Sequence, residues 1–448
     1  MDMLQRPEAA ELKDADRRLA TELVMGVLRW RGELDFQIEQ LSGRPLKRLD
    51  SEVATILRLG VYQIRFLSKV PKAAVVNEAV ELTKAARKRS AGGLVNAVLR
   101  RCVPAKRRLD LAPFDDLTPE EKASIGRAVP PWLLERWATH SRPAGGPPGG
   151  LASSPSDLGV GWPLRLAWAS VQVPSTTLRV GAMSSSIGDL EVSRQELAED
   201  GISTRQPRGR YAARALVVES GNILASRAYR EGRVVIQDEA SQLVAELLAP
   251  QPGQRVLDLC AAPGLKTGQL AQILGAGTLV ACDLSASRLR TLVKLLPPEV
   301  PPRVRLRLVR LDATRQLPFG VRFDRILLDV PCSGTGTLSR NPEIKWRLRA
   351  SDFTRLADAQ GRMLRNALEV LAPGGRLVYS TCSLEPEENE QVVENVLKGI
   401  HGYCMLTRAD MVREFPAQAP LFDLDGYFRT RPDHEMDGFF AALITRPA

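Results

Sequence analysis

Two cysteines and an aspartate carry the clearest chemical promise in this chain. The segment LLDVPCSGTG, residues 327–336, follows an apolar run and holds Asp329 and Cys332. The segment YSTCS, residues 379–383, follows another and holds Cys382. Apolar runs of this length, set between helical patterns, read as strands of a parallel sheet. Both tails then emerge at the carboxyl edge, where open α/β sheets bind ligands. One cysteine at a strand end is most often an inert small hydrophobe. Two of them beside a carboxylate and Pro331 are harder to read that way, and a thiol so placed is a candidate covalent nucleophile.

A third stretch supplies a place for a cofactor. RVLDLCAAPGLKT, Arg255 to Thr267, reads as strand, turn of small residues, then helix from Leu265 or Lys266. Small residues let the backbone approach a ligand, and a helix start offers unpaired N–H groups. The spacing is not that of a P-loop. Asp283 ends the next strand, about 20 residues on, where an acid can accept hydrogen bonds from ribose hydroxyls. Asp312 ends the strand after that and could meet a base. A carboxylate at a strand end can also simply cap the following helix.

The elements that must position these groups fall into distinct parts. Residues 1–140 show apolar residues at helix spacing, as in Leu19, Leu23, Val27 and Val53, Ile56, Leu57, Gly60, Ile64, and predict an all-α bundle. Asp35, Asp50 and Asn77 sit at plausible helix starts. Basic residues cluster late in this part: Lys84, Arg87, Lys88, Arg89, then Arg100, Arg101, Lys106, Arg107, Arg108. Such runs are commonly solvated faces, and they also suit RNA phosphates. Residues 141–170 are rich in Gly, Pro and Ser and predict a linker, although Trp162 and Trp168 are odd in one. Residues 171–236 predict a small α+β module with strands TTLRV, ARALVVES and GRVVIQ. Residues 237–448 alternate strand and helix, the mark of a parallel sheet covered on both faces. VRLRLVR alternates strictly and therefore predicts an edge strand. The long helix from Asp352 to Leu371 is expected to close at the Pro373-Gly374-Gly375 turn.

Composition narrows the class. The 448 residues carry a net charge of +10, which points to a polyanionic partner, most simply nucleic acid. The six cysteines form no C-x-x-C pair or His–Cys cluster, so no metal site is expected and the thiols read as cytosolic. No signal peptide or membrane span is evident, and a cytoplasmic protein without membrane contact is expected.

At this point a resemblance becomes specific. DLCAAPG-x-KT, D-x-PCSGTG, RNPEIKW and YSTCS-x-EP-x-EN resemble the motifs of RNA 5-methylcytosine methyltransferases that use S-adenosylmethionine. DRRLATELVMGVLRW and VNEAVEL…GGLVNAVLRR are similar to a NusB-like RNA-binding domain. The pairing is that of the RsmB (Sun, Fmu) family, whose substrate is small-subunit, 16S, ribosomal RNA. The resemblance implies a NusB-like bundle, an RRM-like α+β module and a Rossmann-like class I methyltransferase domain, working as a monomer. It implies that Cys382 attacks cytosine C6, that Asp329 binds N3, and that Cys332 assists release. It places S-adenosylmethionine over Cys260, Ala261, Ala262, Pro263, Gly264, Leu265 and Lys266, with Asp283 on the ribose and Asp312 near the adenine; Asp329 borders the cofactor as well. Leu265 stands where the family usually has a second glycine, and Val330 where it has alanine. Three other readings remain open at this stage. Cys332 could be the nucleophile, as in DNA cytosine methyltransferases. The substrate could be transfer RNA. The chain could be a non-catalytic RNA-binding assembly factor.

Overall fold

The structure, a computed structural model, describes residues 13–105, 109, 112–140, 161–181, 188–296, 300–432 and 435–448. These divide into two compact units. One holds the described residues of 1–144, 156–173 and 338–347, and the other those of 174–337 and 348–448. Lys106, Arg107, Arg108 and the stretch 141–160 lie outside the described residues.

The first unit is helical. Its longest helix, Asp14–Ser42, buries Trp30, Leu34 and Ile38 at intervals of four, one face of a helix. That face meets the Ser51–Phe66 helix, where Val53, Ile56, Leu57, Gly60, Val61 and Ile64 are buried. Trp30 stacks on Phe66 with ring centroids 5.0 Å apart. Asp50 is the N-cap residue of that second helix, as expected. Asp35 and Asn77 are instead interior residues of the Asp14–Ser42 and Lys72–Ala85 helices. Asp35 spends its carboxylate on Arg58, with which it forms two hydrogen bonds, of 2.5 and 3.0 Å.

The expected linker is a helix over part of its length. Trp162–Val171 is helical, with Pro163 in the first turn, where proline is tolerated, and with Leu166, Ala167 and Val171 buried. Trp168 donates its indole N–H to the Ala112 carbonyl at 3.1 Å and packs edge-on against the buried Phe114, so the odd tryptophan ties this helix to the chain before it. Averaging composition over 141–170 hid the amphipathic WPLRLAWASV within it. A second difference concerns 338–347, expected within the sheet domain. This segment groups with the helical unit: Lys345 donates to the Arg29 carbonyl at 2.9 Å, and the Trp346 indole to that of Leu28 at 2.7 Å.

The second unit holds two sheets. Strands β1 (Thr176–Val180), β2 (Ser203–Arg205), β3 (Ala215–Ser220) and β4 (Val234–Ile236) form an antiparallel sheet in the order β2-β3-β1-β4. The eight-stranded sheet contains β5 (Arg255–Asp258), β6 (Gly277–Asp283), β7 (Val304–Arg310), β8 (Phe323–Asp329), β9 (Leu371–Thr381), β10 (Cys404–Met405), β11 (Phe428–Arg429) and β12 (Phe440–Thr445). Its order is β10-β12-β9-β8-β5-β6-β7, with β11 on β12. From β9 to β7 all neighbours are parallel, while β12 runs antiparallel to β9.

Both faces of this sheet are buried, because alternate residues enter different cores. Val256, Leu279, Leu327 and Val378 join Leu243, Leu247, Leu270 and Leu274 from two helices on one side. Leu257, Val280, Leu328 and Leu377 join Leu364, Leu368, Val393 and Val396 on the other. Strand β7 is the edge, with Arg305 and Arg307 exposed. The long helix ends at Glu369, before the Pro373-Gly374-Gly375 stretch, which lies within β9 instead. The irregular register between β8 and β9 accommodates it, with Gly374 at φ +71.

Candidate active site

Parallel pairing of β8 and β9 sets Asp329 opposite Ser380. The loops that follow therefore leave the sheet side by side, and they deliver Cys332 and Cys382 with their sulfurs 3.2 Å apart. The Gly336 N–H donates to the Cys382 carbonyl at 2.9 Å and closes the loops on each other. A Cβ at Gly336 would lie 2.0 Å from the Gly438 carbonyl oxygen, so this closure requires glycine.

The two thiols share one hydrogen bond. That bond, followed by burial, pushes the Cys332 thiol well above its usual range. Either sulfur can donate in that contact, and a cysteine whose thiol is pushed up holds its proton more firmly and is the weaker nucleophile. Both cysteines are only partly buried.

Asp329 is held from two sides. Ser380 Oγ donates to one carboxylate oxygen at 2.8 Å and Lys266 Nζ to the other at 2.8 Å. Burial opposes the Lys266 charge, but the Asp329 charge and hydrogen bond outweigh it and raise the ammonium's pKa. Lys266 Nζ also lies 5.0 Å from the centre of the Phe439 ring. Lys266 thus links the small-residue turn to the aspartate beside the thiols.

The turn itself is built as a cradle. Gly264 has φ +113, a conformation that favours glycine, and leads into the Leu265–Leu274 helix. Leu265 opens that helix with ordinary helical geometry, so the leucine costs no backbone strain. The peptide between Ala262 and Pro263 is cis. Beneath the turn, Asp258 accepts from Thr267 Oγ1 at 2.7 Å through one oxygen. Its other oxygen is buried with no partner. Burial raises the Asp258 pKa to about 7. An orphaned acceptor under a turn of Ala261, Ala262 and Gly264 fits a ligand that brings a hydrogen-bond donor. Cys260 sits in the same turn, with its thiol pushed up by burial and by the charge of Asp258.

Asp283 ends β6 and is buried. It accepts from the Ser285 N–H at 2.9 Å, and Arg288 lies 3.7 Å from its other oxygen. Asp312 stands two residues past β7. One of its oxygens accepts from the N–H and hydroxyl of Thr314, which lowers its pKa, and Arg315 faces the other at 3.5 Å. The geometry thus brings Asp329, Lys266, Cys332 and Cys382 together, and ranges Asp258, Asp283 and Asp312 along the edges of β5, β6 and β7. Sequence reasoning missed Ser380 and the buried Glu388 behind the thiol loops, although both lie in the YSTCS-x-EP-x-EN stretch. Among the described residues no group of His, Cys, Asp and Glu could hold a metal ion.

Comparison with known proteins adds independent findings. The family profile described as 16S rRNA methyltransferase RsmB/F matches residues 245–445, and that of the NusB family matches residues 1–104. The chain is 35% identical over 445 residues to "Probable ribosomal RNA small subunit methyltransferase B" of Synechocystis sp., covering 97% of this chain and 92% of the relative. It is 34% identical to ribosomal RNA small subunit methyltransferase B of Pseudomonas putida, covering 98% and 92%. Among solved structures, PH0851 matches with a TM-score of 0.74 at 24% identity, over 97% of this chain and 91% of that one, a likeness of fold. A methyltransferase homologue from Pyrococcus horikoshii matches with a TM-score of 0.54 at 29% identity, over 71% of this chain and 100% of that one.

Proposed function

The chain belongs to the RsmB/F family of 16S rRNA methyltransferases, and we propose on that ground that it transfers a methyl group from S-adenosylmethionine to C5 of a cytosine in small-subunit ribosomal RNA. The observation that carries the choice of atom is the contact of two thiols, 3.2 Å apart, beside the Lys266–Asp329 pair. Transfer to an oxygen or an exocyclic nitrogen has no use for paired thiols. Cytosine C5 does, because it becomes nucleophilic only after a thiolate has added to C6.

S-adenosylmethionine would be held by the turn from Cys260 to Lys266 together with Asp283 and Asp312, and would supply an electrophilic methyl group. The remaining work belongs to the chain. Cys382 gives up its proton to solvent, adds to C6 as the thiolate and pushes electrons through the ring toward N3. Asp329 meets N3 and relays to it a proton from the Lys266 ammonium, so the ring gains no net negative charge as Cys382 adds. Cys332 keeps its proton during the attack. When the C5 proton is lost to solvent and the C6–sulfur bond breaks, the Cys332 S–H stabilises the departing Cys382 thiolate through the contact already present. A base stacked in RNA has to be extruded to reach these groups. One chain supplies every group named, consistent with a monomer, and a ribosomal RNA substrate places the reaction in the cytoplasm. No described helix is long and apolar enough to cross a membrane.

The test uses methyl-labelled S-adenosylmethionine with 16S ribosomal RNA and, separately, transfer RNA, followed by digestion to nucleosides. Label in 5-methylcytidine from ribosomal RNA supports the reading. Label confined to transfer RNA overturns the substrate, and label in another nucleoside overturns the chemistry. Binding of ribosomal RNA without any label in it would make the chain an assembly factor.

A further inference from the structure

Behind the thiols lies a carboxylate with no assigned task. Glu388 is fully buried at the end of a short turn, Pro386–Glu388, and accepts from four neutral donors. The Ser333 N–H donates to one oxygen at 2.9 Å and Gln360 Nε2 to the same oxygen at 3.0 Å. The hydroxyls of Ser333 and Ser383 both donate to the other, Ser383 at 2.6 Å. Ser333 directly follows Cys332 and Ser383 directly follows Cys382. The two hydroxyl oxygens are 3.0 Å apart, so a serine rung lies behind the rung of sulfurs.

Neighbouring bonds stiffen this arrangement. Tyr379 donates its hydroxyl to the Glu388 carbonyl at 2.6 Å, and Gln360 donates to the Pro331 carbonyl at 2.9 Å. Asn389 donates to the Ser383 carbonyl at 3.0 Å and accepts from Thr381. A buried carboxylate held by neutral groups alone is costly, and a fold retains it where the charge or the geometry has a use.

We propose that Glu388 is the positioning residue of the thiol pair: its carboxylate grips the loop behind Cys332 and the loop behind Cys382 at once and holds the two sulfurs in contact. The role in catalysis rests on the methyltransferase reading above; the grip on the loops does not. The carboxylate also acts through its charge. After the Cys382 hydrogen bond, burial and the Cys382 charge, Glu388 is the next cause that keeps the Cys332 proton in place, ahead of Asp329. Among the described residues, Cys382, Glu388, Asp329 and the Tyr379 hydroxyl are titratable groups that face Cys332.

Two substitutions separate connection from charge. Glu388→Gln keeps the shape, and both serine hydroxyls can turn to accept from the new amide. Glu388→Ala removes both. The readout that needs no RNA is site-resolved iodoacetamide labelling of Cys332 and Cys382 across pH. For Glu388→Gln the Cys332 profile should move to lower pH while affinity for S-adenosylmethionine stays within about twofold, and kcat should fall about tenfold with the KM for RNA unchanged. For Glu388→Ala kcat should fall about 10²-fold, the scale of a small misplacement of reacting groups. If the alanine variant does not fold, the double variant Ser333→Ala, Ser383→Ala tests the same grip, with the same loss expected. Iodoacetamide profiles of Cys332 and Cys382 in Glu388→Ala that match those of Glu388→Gln, or KM rising in step with falling kcat, overturn the proposal. If the unmodified protein methylates no RNA, the functional reading fails, and the labelling profile still decides the grip.

Discussion

At the scale of the residue, Lys266 is the group on which the electrostatics turn. Its ammonium is kept charged by Asp329 against the pull of burial, and it donates to the carboxylate expected to meet the base. Replacing it with methionine keeps the stem and removes the charge. Lys266→Met should lower kcat about 10²–10³-fold, the range for loss of one preorganised charge stabiliser. The KM for RNA should change less. Steady-state rates with labelled methyl donor check this, and equal losses in kcat and affinity would contradict it. The placement of Asp329 at a strand end, with Cys332 and Cys382 in the loops that follow two adjacent strands, was legible in the sequence because both strands are readable apolar runs. Glu388 was not, because a glutamate inside EPEEN looks like a solvated charge until the fold buries it. The engagement of Asp312 by Thr314 was open too, since a strand-end acid serves a ligand or a turn equally well.

At the scale of the element, the parallel sheet was readable from alternating apolar runs and helices, including the edge position of β7. Two short segments were not. The Trp162–Val171 helix sits inside a Gly- and Pro-rich stretch, and RNPEIKW lies within the span expected to belong to the sheet domain although it is anchored in the helical unit. The anchor has a measurable signature. Lys345 is wholly buried, and burial, aided by the Arg29 charge, lowers its pKa to about 7. The unfolded chain takes up a proton that the folded one resists. Stability should therefore rise as pH increases from about 7 toward the ordinary lysine range, and then level off. Lys345→Met should flatten that rise. Denaturation of the full chain at pH 7 and pH 9.5, with and without the substitution, checks it; parallel behaviour of the two proteins would contradict it.

At the scale of the whole molecule, a net charge of +10 calls for a polyanion, and the helical unit offers exposed Lys84, Arg87, Arg89, Arg100 and Arg101. Part of that charge is spent internally: Lys84 pairs with Glu81, and Lys88 with Asp50. Arg87 and Arg89 remain exposed and suited to phosphates. Affinity for RNA should fall steeply with added salt, and Arg87→Ala with Arg89→Ala should reduce the slope of log affinity against log salt by about 1.4, two contacts at roughly 0.7 each. Filter binding over a salt series measures it. An unchanged slope would assign these arginines to solvent.

The most direct measurement traps the proposed covalent step. Each protein is incubated with S-adenosylmethionine and 16S ribosomal RNA and then denatured, and the protein is assayed for bound RNA. Cys332→Ala should carry a stable RNA adduct, because attack proceeds and release fails, while Cys382→Ala should carry none and transfer no methyl group. An adduct that persists without Cys382 would contradict the account.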